Sequence, residues 1–420
     1  MLRNTKQQTL FKQLMANIYP FSAIRPSPVY ADQLVFTTMQ AESVAGNLNK
    51  SGALPPLKTL LETVARQRPE IPELQADAFE EVKNKLQSLL SNNRLWQDAK
   101  PGIYVYEIAH KNYRQTGIWA LTGLADYTTG KVKIHELTLD DSVRRLKNYR
   151  QHTGLEGNPV LLTYPPSMVI NRIIAETREK TKKTSFGNRE AFHRLWKIED
   201  EATIKKLTDA FAQVDVVYVA DGHHRLKSAR MLAQEQQAAG LPVFDTITSL
   251  YMATDQLRMQ EYDRVVLPAT AIDKHEVLDR IMENFDAKRI HGNKPLQPKE
   301  KTQMGMHLAG RWFSLAPIIP PAGENADSLD VSILQNQVLA PIFGITDPGA
   351  DTRLKCIGGD KAIEEIQALL EEHPQAVVFT LCPLSVEQLL KVADAGEILP
   401  PKSTWITPKV PYGLLMFRHS

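Results

Sequence analysis

The 420-residue sequence predicts a mixed α/β protein of the α+β class. Short β-branched and aromatic runs such as GIYVYEIAH and PVLLTY read as strands, and they are interspersed with longer segments of helical spacing. A hydrophobic content of 43% with 23% charged residues is that of a globular chain. At this length two or three domains are expected, and the pattern divides into segments 1–130, 131–270 and 271–420.

The N-terminal stretch MLRNTKQQTLFKQLMANIYPF interrupts its apolar positions with Lys and Gln, so it reads as a short amphipathic helix and not as a secretory signal. After the Pro-punctuated Ile18–Leu34, helical periodicity runs to about Asn93, through Leu57, Leu60, Leu61 and Val64 and again through Phe79, Val82, Leu86 and Leu89. GIYVYEIAH and GIWALTGLADY, separated by a polar turn at Lys111–Gln115, predict a β-hairpin. A helix is expected from about Leu139–Asp140–Asp141, then a buried strand over Pro159–Tyr164. The charged stretch from Pro165 to Thr208, with its basic REKTKK knot, reads as a solvated face. Strands are expected at FDTITSLYMAT and around Asp263–Val266, loops around one short strand GRWFSLAP between Asn293 and Gly323, and alternating helix and strand thereafter. No fixed-period repeat is visible, which argues against a solenoid or propeller.

Composition excludes several function classes. Lys+Arg total 50 against Asp+Glu 48, so a basic nucleic-acid-coating surface is not indicated and DNA is not an expected partner. Cys356 and Cys382 alone make neither a disulfide framework nor a thiolate metal site, and fit reduced cytoplasmic thiols. No apolar run approaches the roughly 20 residues that span a bilayer.

The chemistry is expected at VDVVYVADGHHRLKSARML, from Val214 to Leu232. An apolar strand there breaks at Asp221-Gly222-His223-His224-Arg225 into a helix. The first amides of such a helix point outward with the positive end of its dipole, which suits a phosphate. Gly222 lets the backbone approach a ligand, and Arg225 adds a bidentate contact. The bland alternative is a turn in which Asp221 is an ordinary N-cap and the histidines lie at the surface.

Ile134-His135-Glu136 is a second candidate. Adjacent residues on an extended segment face opposite ways, so Glu136 is the candidate general base or magnesium ligand and His135 its neighbour. His135, His223 and His224, completed by Glu136 or Asp221, make a competing zinc or iron set, although adjacent histidines at a helix start diverge by about 100°. In PPKSTW, Lys402, Ser403 and Thr404 are presented by a proline-stiffened loop, which reaches the phosphate site or is a turn anchored by Trp405. Gly358-Gly359-Asp360 reads as a turn and N-cap.

A strand, then H-E, then a helix carrying Arg144 and Arg145, then PVLLTY, then strand, D-G-H-H-R and helix: that order resembles the ParB/sulfiredoxin-like fold, here with flanking N-terminal and C-terminal α/β elements. More closely, PFSAIRPSP, KIHELT, ADGHHRLKSA, D-R-V-V and LPPKSTWITPK resemble a large family of bacterial and archaeal proteins known as a domain of unknown function. These boxes span most of the chain.

Within the wider fold, the free serine kinase branch implies that Glu136 deprotonates a substrate hydroxyl. It also implies that Asp221, Gly222, His223, His224 and Arg225 orient the phosphates of ATP or ADP with magnesium, tentatively on Asp221. His135, Arg144, Arg145, Lys402, Ser403 and Thr404 are then accessory. The sulfiredoxin branch implies a cysteine in the turn, which this chain lacks. The ParB branch implies a helix-turn-helix, which does not follow residue 240.

The resemblance departs where relatives carry a P-Y-D-V-like box and this chain reads LVFTTMQAESVAGNLNKSG, which implies a changed substrate or lost turnover. The expectation is therefore a cytoplasmic nucleotide-binding kinase for a small hydroxylated metabolite such as serine. The alternative is a non-catalytic nucleotide-binding regulatory or scaffold protein.

Overall fold

A computed structural model describes residues 17–35, 55–63, 72–111, 113–187, 191–292 and 294–419. The expected N-terminal amphipathic helix, Val64 and most of LVFTTMQAESVAGNLNKSG lie outside these residues. The class is α+β, as the sequence predicts. Contacts divide the chain into two units, each discontinuous in sequence: Met1–Lys133, Asp140–Leu257 and Pro408–Ser420 form one, Ile134–Leu139 and Arg258–Thr407 the other. That division runs differently from the three consecutive segments expected. No helix among the described residues is long and apolar enough to cross a membrane.

The first unit is built on a nine-stranded sheet. Its elements are helix α1 (Pro72–Ser91), strands β1 (Ile103–His110), β2 (Arg114–Gly123) and β3 (Val132–Lys133), helix α2 (Asp140–Thr153), strand β4 (Val160–Tyr164), helix α3 (Met168–Lys180), strands β5 (Lys183–Gly187) and β6 (Ala191–Ile198), helix α4 (Glu201–Ala212), strand β7 (Val217–Asp221), helix α5 (His223–Ala238) and strand β8 (Thr246–Ala253). The order is β3-β7-β4-β8-β2-β1-β6-β5, with the short Ile18–Tyr19 also on β2. β7 runs parallel to β3 and β8 parallel to β4, while the other pairs are antiparallel.

The β1–β2 hairpin forms as expected, with Tyr104 opposite Trp119, but it sits in the middle of the sheet that carries D-G-H-H-R. It is not part of a separate N-terminal region. Being central, its strands are buried on both faces, so their polar groups must pair internally. Trp119 Nε1 donates to Thr248 at 2.7 Å, and Glu107 on β1 takes Arg178 at 2.7 Å and also Arg194.

Arg178 belongs to the basic knot, and its guanidinium also lies over the Trp196 ring. The knot is otherwise the solvated face expected of a charge run, with Glu179, Lys180, Lys182 and Lys183 exposed. The stretch 165–208 folds as α3, β5, β6 and the beginning of α4, and two of its cations, Arg178 and Arg194, neutralise the buried Glu107 carboxylate.

The second unit has a six-stranded antiparallel sheet. It comprises strand β9 (Tyr262–Val266), helix α6 (Lys274–Met282), strands β10 (Phe285–Ile290), β11 (Met304–Leu308), β12 (Arg311–Pro317) and β13 (Leu354–Gly358), helix α7 (Ala362–Glu372), strand β14 (Val377–Leu381) and helix α8 (Val386–Asp394), in sheet order β10-β12-β11-β14-β9-β13. The expected single strand GRWFSLAP is one arm of a hairpin. Its partner MGMHL was hidden in the sequence by Gly305, yet Thr380 Oγ1 stands where a side chain on Gly305 would go.

Pro408–Ser420 returns to the first unit as a strap. Gly413 N–H donates to Gly157 O, Met416 pairs in both directions with Ile24, and Phe417–Arg418 pairs with Leu155–Glu156. Gly157 makes room for the Tyr412 ring, which lies 2.2 Å from where a Cβ would be. The strap's end is held by a buried cluster: Glu156 accepts from Arg150, from His419 at 2.7 Å and from the Thr248 amide at 2.7 Å. Removing one member of such a cluster strands the rest. Glu156→Gln should therefore lower stability by about 3 kcal/mol, since Arg150 loses its anion in a buried setting. Urea unfolding with an unchanged slope is the check, and a loss below about 0.5 kcal/mol would contradict it.

Candidate functional site

Strand β7 is regular to Val219, and its pairing with β4 then shifts register between Val219 and Asp221. Such an irregularity re-aims the residue that follows it. Gly222 comes next with φ +100° and is the N-cap of α5. Only glycine takes that conformation at little cost. A Cβ there would also meet the Arg225 guanidinium, which folds back over the turn with Nη2 2.8 Å from the Cβ position.

The N-cap reading of Asp221 is corrected on this geometry. Asp221 is the last residue of the strand, and its carboxylate receives Arg225 Nη2 at 2.7 Å on one oxygen and Lys409 Nζ at 3.2 Å on the other. Burial by itself would raise its pKa. Lys409, Arg225 and His223 outweigh that and hold it well below the usual carboxylate range. The first intrahelical acceptor of α5 is the Gly222 carbonyl, taken by Leu226 N–H at 3.0 Å. The amides of His223, His224 and Arg225 precede it, at the positive end of a 16-residue helix.

His223 is buried and His224 half-buried, so the two imidazoles look into different surroundings. Arg144 pairs with Asp141, and Arg145 donates to Ser142 at 3.2 Å, so both engage the first turn of their own helix α2. α2 in turn docks on α5 through Lys147–Glu235 at 2.7 Å and Lys227–Asp140 at 3.2 Å.

The H-E box lies in the second unit. His135 is fully buried, and its carbonyl accepts from Leu399 N–H at 2.8 Å. Glu136 is half-buried and accepts the Lys402 amide at 3.1 Å. The next peptide is gripped at its Lys402 carbonyl by Arg264 at 2.9 Å. Arg264, from the D-R-V-V set, is fully buried and also donates to the Tyr262 carbonyl at 2.8 Å. Lys402 has φ +60°, an unusual value for a side-chain-bearing residue, and these two bonds fix it.

The PPKSTW loop is thus tied to Glu136 by backbone, with the Lys402 side chain exposed and Thr404 half-buried. Ser403 is buried and donates to Pro400 O at 2.6 Å. Trp405 anchors the loop as the packing alternative expects. Its ring contacts Tyr262 and lies against Gly358 and Gly359, whose Cβ positions fall 2.9 and 3.0 Å from it. The expected Gly358-Gly359-Asp360 N-cap is corrected to a turn that seats the indole. The cap of α7 is Lys361, and Asp360 accepts from Gln260.

Ser403 also lines a cavity of about 180 Å³ within this unit, beside Asp330 and Cys382. Burial raises Asp330 to about 6 and, on β9, Asp263 to about 7.

Sequence reasoning missed Lys409. An isolated lysine 188 positions from its partner carries no local signal; only the path of the strap brings it to Asp221.

Two outcomes test the turn. Gly222→Ala should cost about 1–3 kcal/mol from its backbone conformation, read as a lowered melting temperature. Asp221 has a depressed native pKa, so its contribution is present above the unfolded value near 4 and is lost as pH falls below it. Wild type should therefore exceed Asp221→Asn in stability at pH 7, and the two should converge as pH drops from 4 toward 2. A gap that is constant with pH would contradict the ion-pair account.

The model of the family described as "Protein of unknown function (DUF1015)" matches residues 18–332. No curated protein matches the chain. Among solved structures, a mutant free serine kinase in complex with ADP is 13% identical, covering 71% of this chain and 91% of that one, with a TM-score of 0.39. A conserved hypothetical protein from Pyrococcus furiosus is 13% identical, covering 72% and 94%, with a TM-score of 0.38. SbnI with C-terminal truncation from Staphylococcus aureus is 14% identical, covering 70% and 87%, with a TM-score of 0.37. At scores this low, neither the fold nor the ligand of those proteins transfers to this chain.

Proposed function

The chain belongs to the family described as protein of unknown function DUF1015, and from that premise we propose that it binds a nucleotide by its phosphates at the Asp221–Arg225 turn. The observation that carries the proposal is Gly222. A left-handed glycine caps α5 without a side-chain cap, leaving the leading amides and Arg225 at the positive end of the helix. That arrangement is suited to phosphate oxygens, which accept from backbone amides and from a guanidinium fork.

In its catalytic form the protein is a kinase for a small hydroxylated metabolite such as serine. The hydroxyl oxygen attacks the terminal phosphorus of ATP, its proton passes to Glu136, and ADP leaves. Such a transfer asks the protein for positioning and charge neutralisation more than for covalent chemistry. Asp221 already carries two cations and by itself offers magnesium no cage. Magnesium would enter on the nucleotide's own phosphates, as it commonly does in such sites. One observation favours the non-catalytic reading: the Glu136 carboxylate has a structural task in holding the Lys402 amide.

A thermal-shift series with AMP, ADP and ATP, with and without Mg²⁺, tests binding. At a ligand concentration about 100 times Kd the native state should gain about 2.7 kcal/mol. Arg225→Ala should abolish most of that shift. No shift with any nucleotide, or an undiminished shift in Arg225→Ala, would refute nucleotide binding at this turn. Glu136→Gln separates the two forms: a kinase keeps the shift and loses product, whereas a binder makes no product in either version.

A further inference from the structure

Two cations from distant parts of the chain meet at the head of helix α5. Arg225 and Lys409 both lie on Asp221, so one carboxylate faces two cations. They stand at the helix end where the dipole is itself positive, the end at which cations are disfavoured and anions stabilised. An anion arriving at this end would be met by both cations and by the positive end of the dipole.

Lys409 is not a wandering surface lysine. It comes from the strap, between buried Pro408 and the half-buried Val410, and four residues on the chain is locked to the Gly157 carbonyl. The strap continues through buried Leu414, Leu415 and Met416 to His419 on Glu156. Its backbone is therefore fixed while its side chain stays 40% exposed. A fixed origin lowers the entropy lost when such a flexible chain closes on a ligand.

We propose that Lys409 is a phosphate-binding residue of this site, closing on the β-phosphate of a nucleoside di- or triphosphate from the strap while Arg225 holds it from the helix. This rests on the nucleotide reading above and adds the third component of the cradle. Asp221 is the resident anion: it keeps both cations in place in the free protein and yields them to the phosphate when ligand arrives.

The test is isothermal titration of the full chain with ADP and with AMP, comparing wild type with Lys409→Met, Lys409→Arg and, as a control for lost surface charge, Lys205→Met on α4. Lys409→Met should weaken ADP by about 10-fold or more and AMP by less than about 3-fold, as expected for one charge-assisted contact to the outer phosphate. Lys409→Arg should recover most of the ADP affinity, and Lys205→Met should change neither. A merely structural Lys409 would weaken both ligands alike. Equal losses, or no loss for ADP, overturn the assignment while leaving nucleotide binding standing; wild type that binds neither ligand sinks both.

Footprinting on wild type keeps the proposal testable if a variant folds poorly. ADP should slow acylation of the Lys409 amine several-fold, and labelling that ADP leaves unchanged counts against it.

Discussion

The first unit depends on a buried charge cluster that closes the chain onto itself. Glu156 sits among Arg150, His419 and the Thr248 amide, and each of these comes from a different part of the sequence. Taking these groups out of water is costly unless all are satisfied together. The cluster therefore acts as an all-or-none latch. With it closed, Phe417–Arg418 pairs with Leu155–Glu156, Tyr412 fills the space above Gly157, and the strap has one path over the unit.

That path has a consequence at the head of α5. The strap delivers Lys409 to a carboxylate already held by Arg225. The turn itself is fixed by backbone geometry, through the register shift after Val219 and the left-handed Gly222. Two kinds of constraint thus meet on Asp221: a local one, set by glycine, and a distant one, set by the latch. Local constraint places the helix dipole; the distant one supplies the extra positive charge.

The second unit solves a similar problem with backbone in place of side chains. Arg264 and Glu136 hold the two peptide groups that flank the Lys402 Cα, and the glycine pair Gly358-Gly359 gives Trp405 a seat. Of the two readings of the PPKSTW loop, the turn anchored by Trp405 describes its packing. Glu136 is thereby held in a defined orientation, a condition that a general base must meet as much as a structural acceptor must.

Much of this was legible in the sequence because it is local. The β1–β2 hairpin, PVLLTY as β4, the strand-to-helix break at Gly222 and the start of α2 near Asp140 follow from side-chain period and turn chemistry over a few residues. Where sequence reading failed, the cause was non-local. REKTKK is exposed as its charge suggests, but the inward pairing of Arg178 was not legible, because its partner Glu107 lies 71 positions away on a central strand. MGMHL escaped notice because a glycine that fits under Thr380 has no pattern of its own.

The sequence by itself determined the α+β class and the D-G-H-H-R turn, since both are written in neighbouring residues. Only the tertiary structure decided that Asp221 is an ion-pair partner and not a cap, that Lys402 acts through its peptide, and that Lys409 joins the turn. Charge pairing between distant segments depends on the path of the chain, and no short-range period encodes that path.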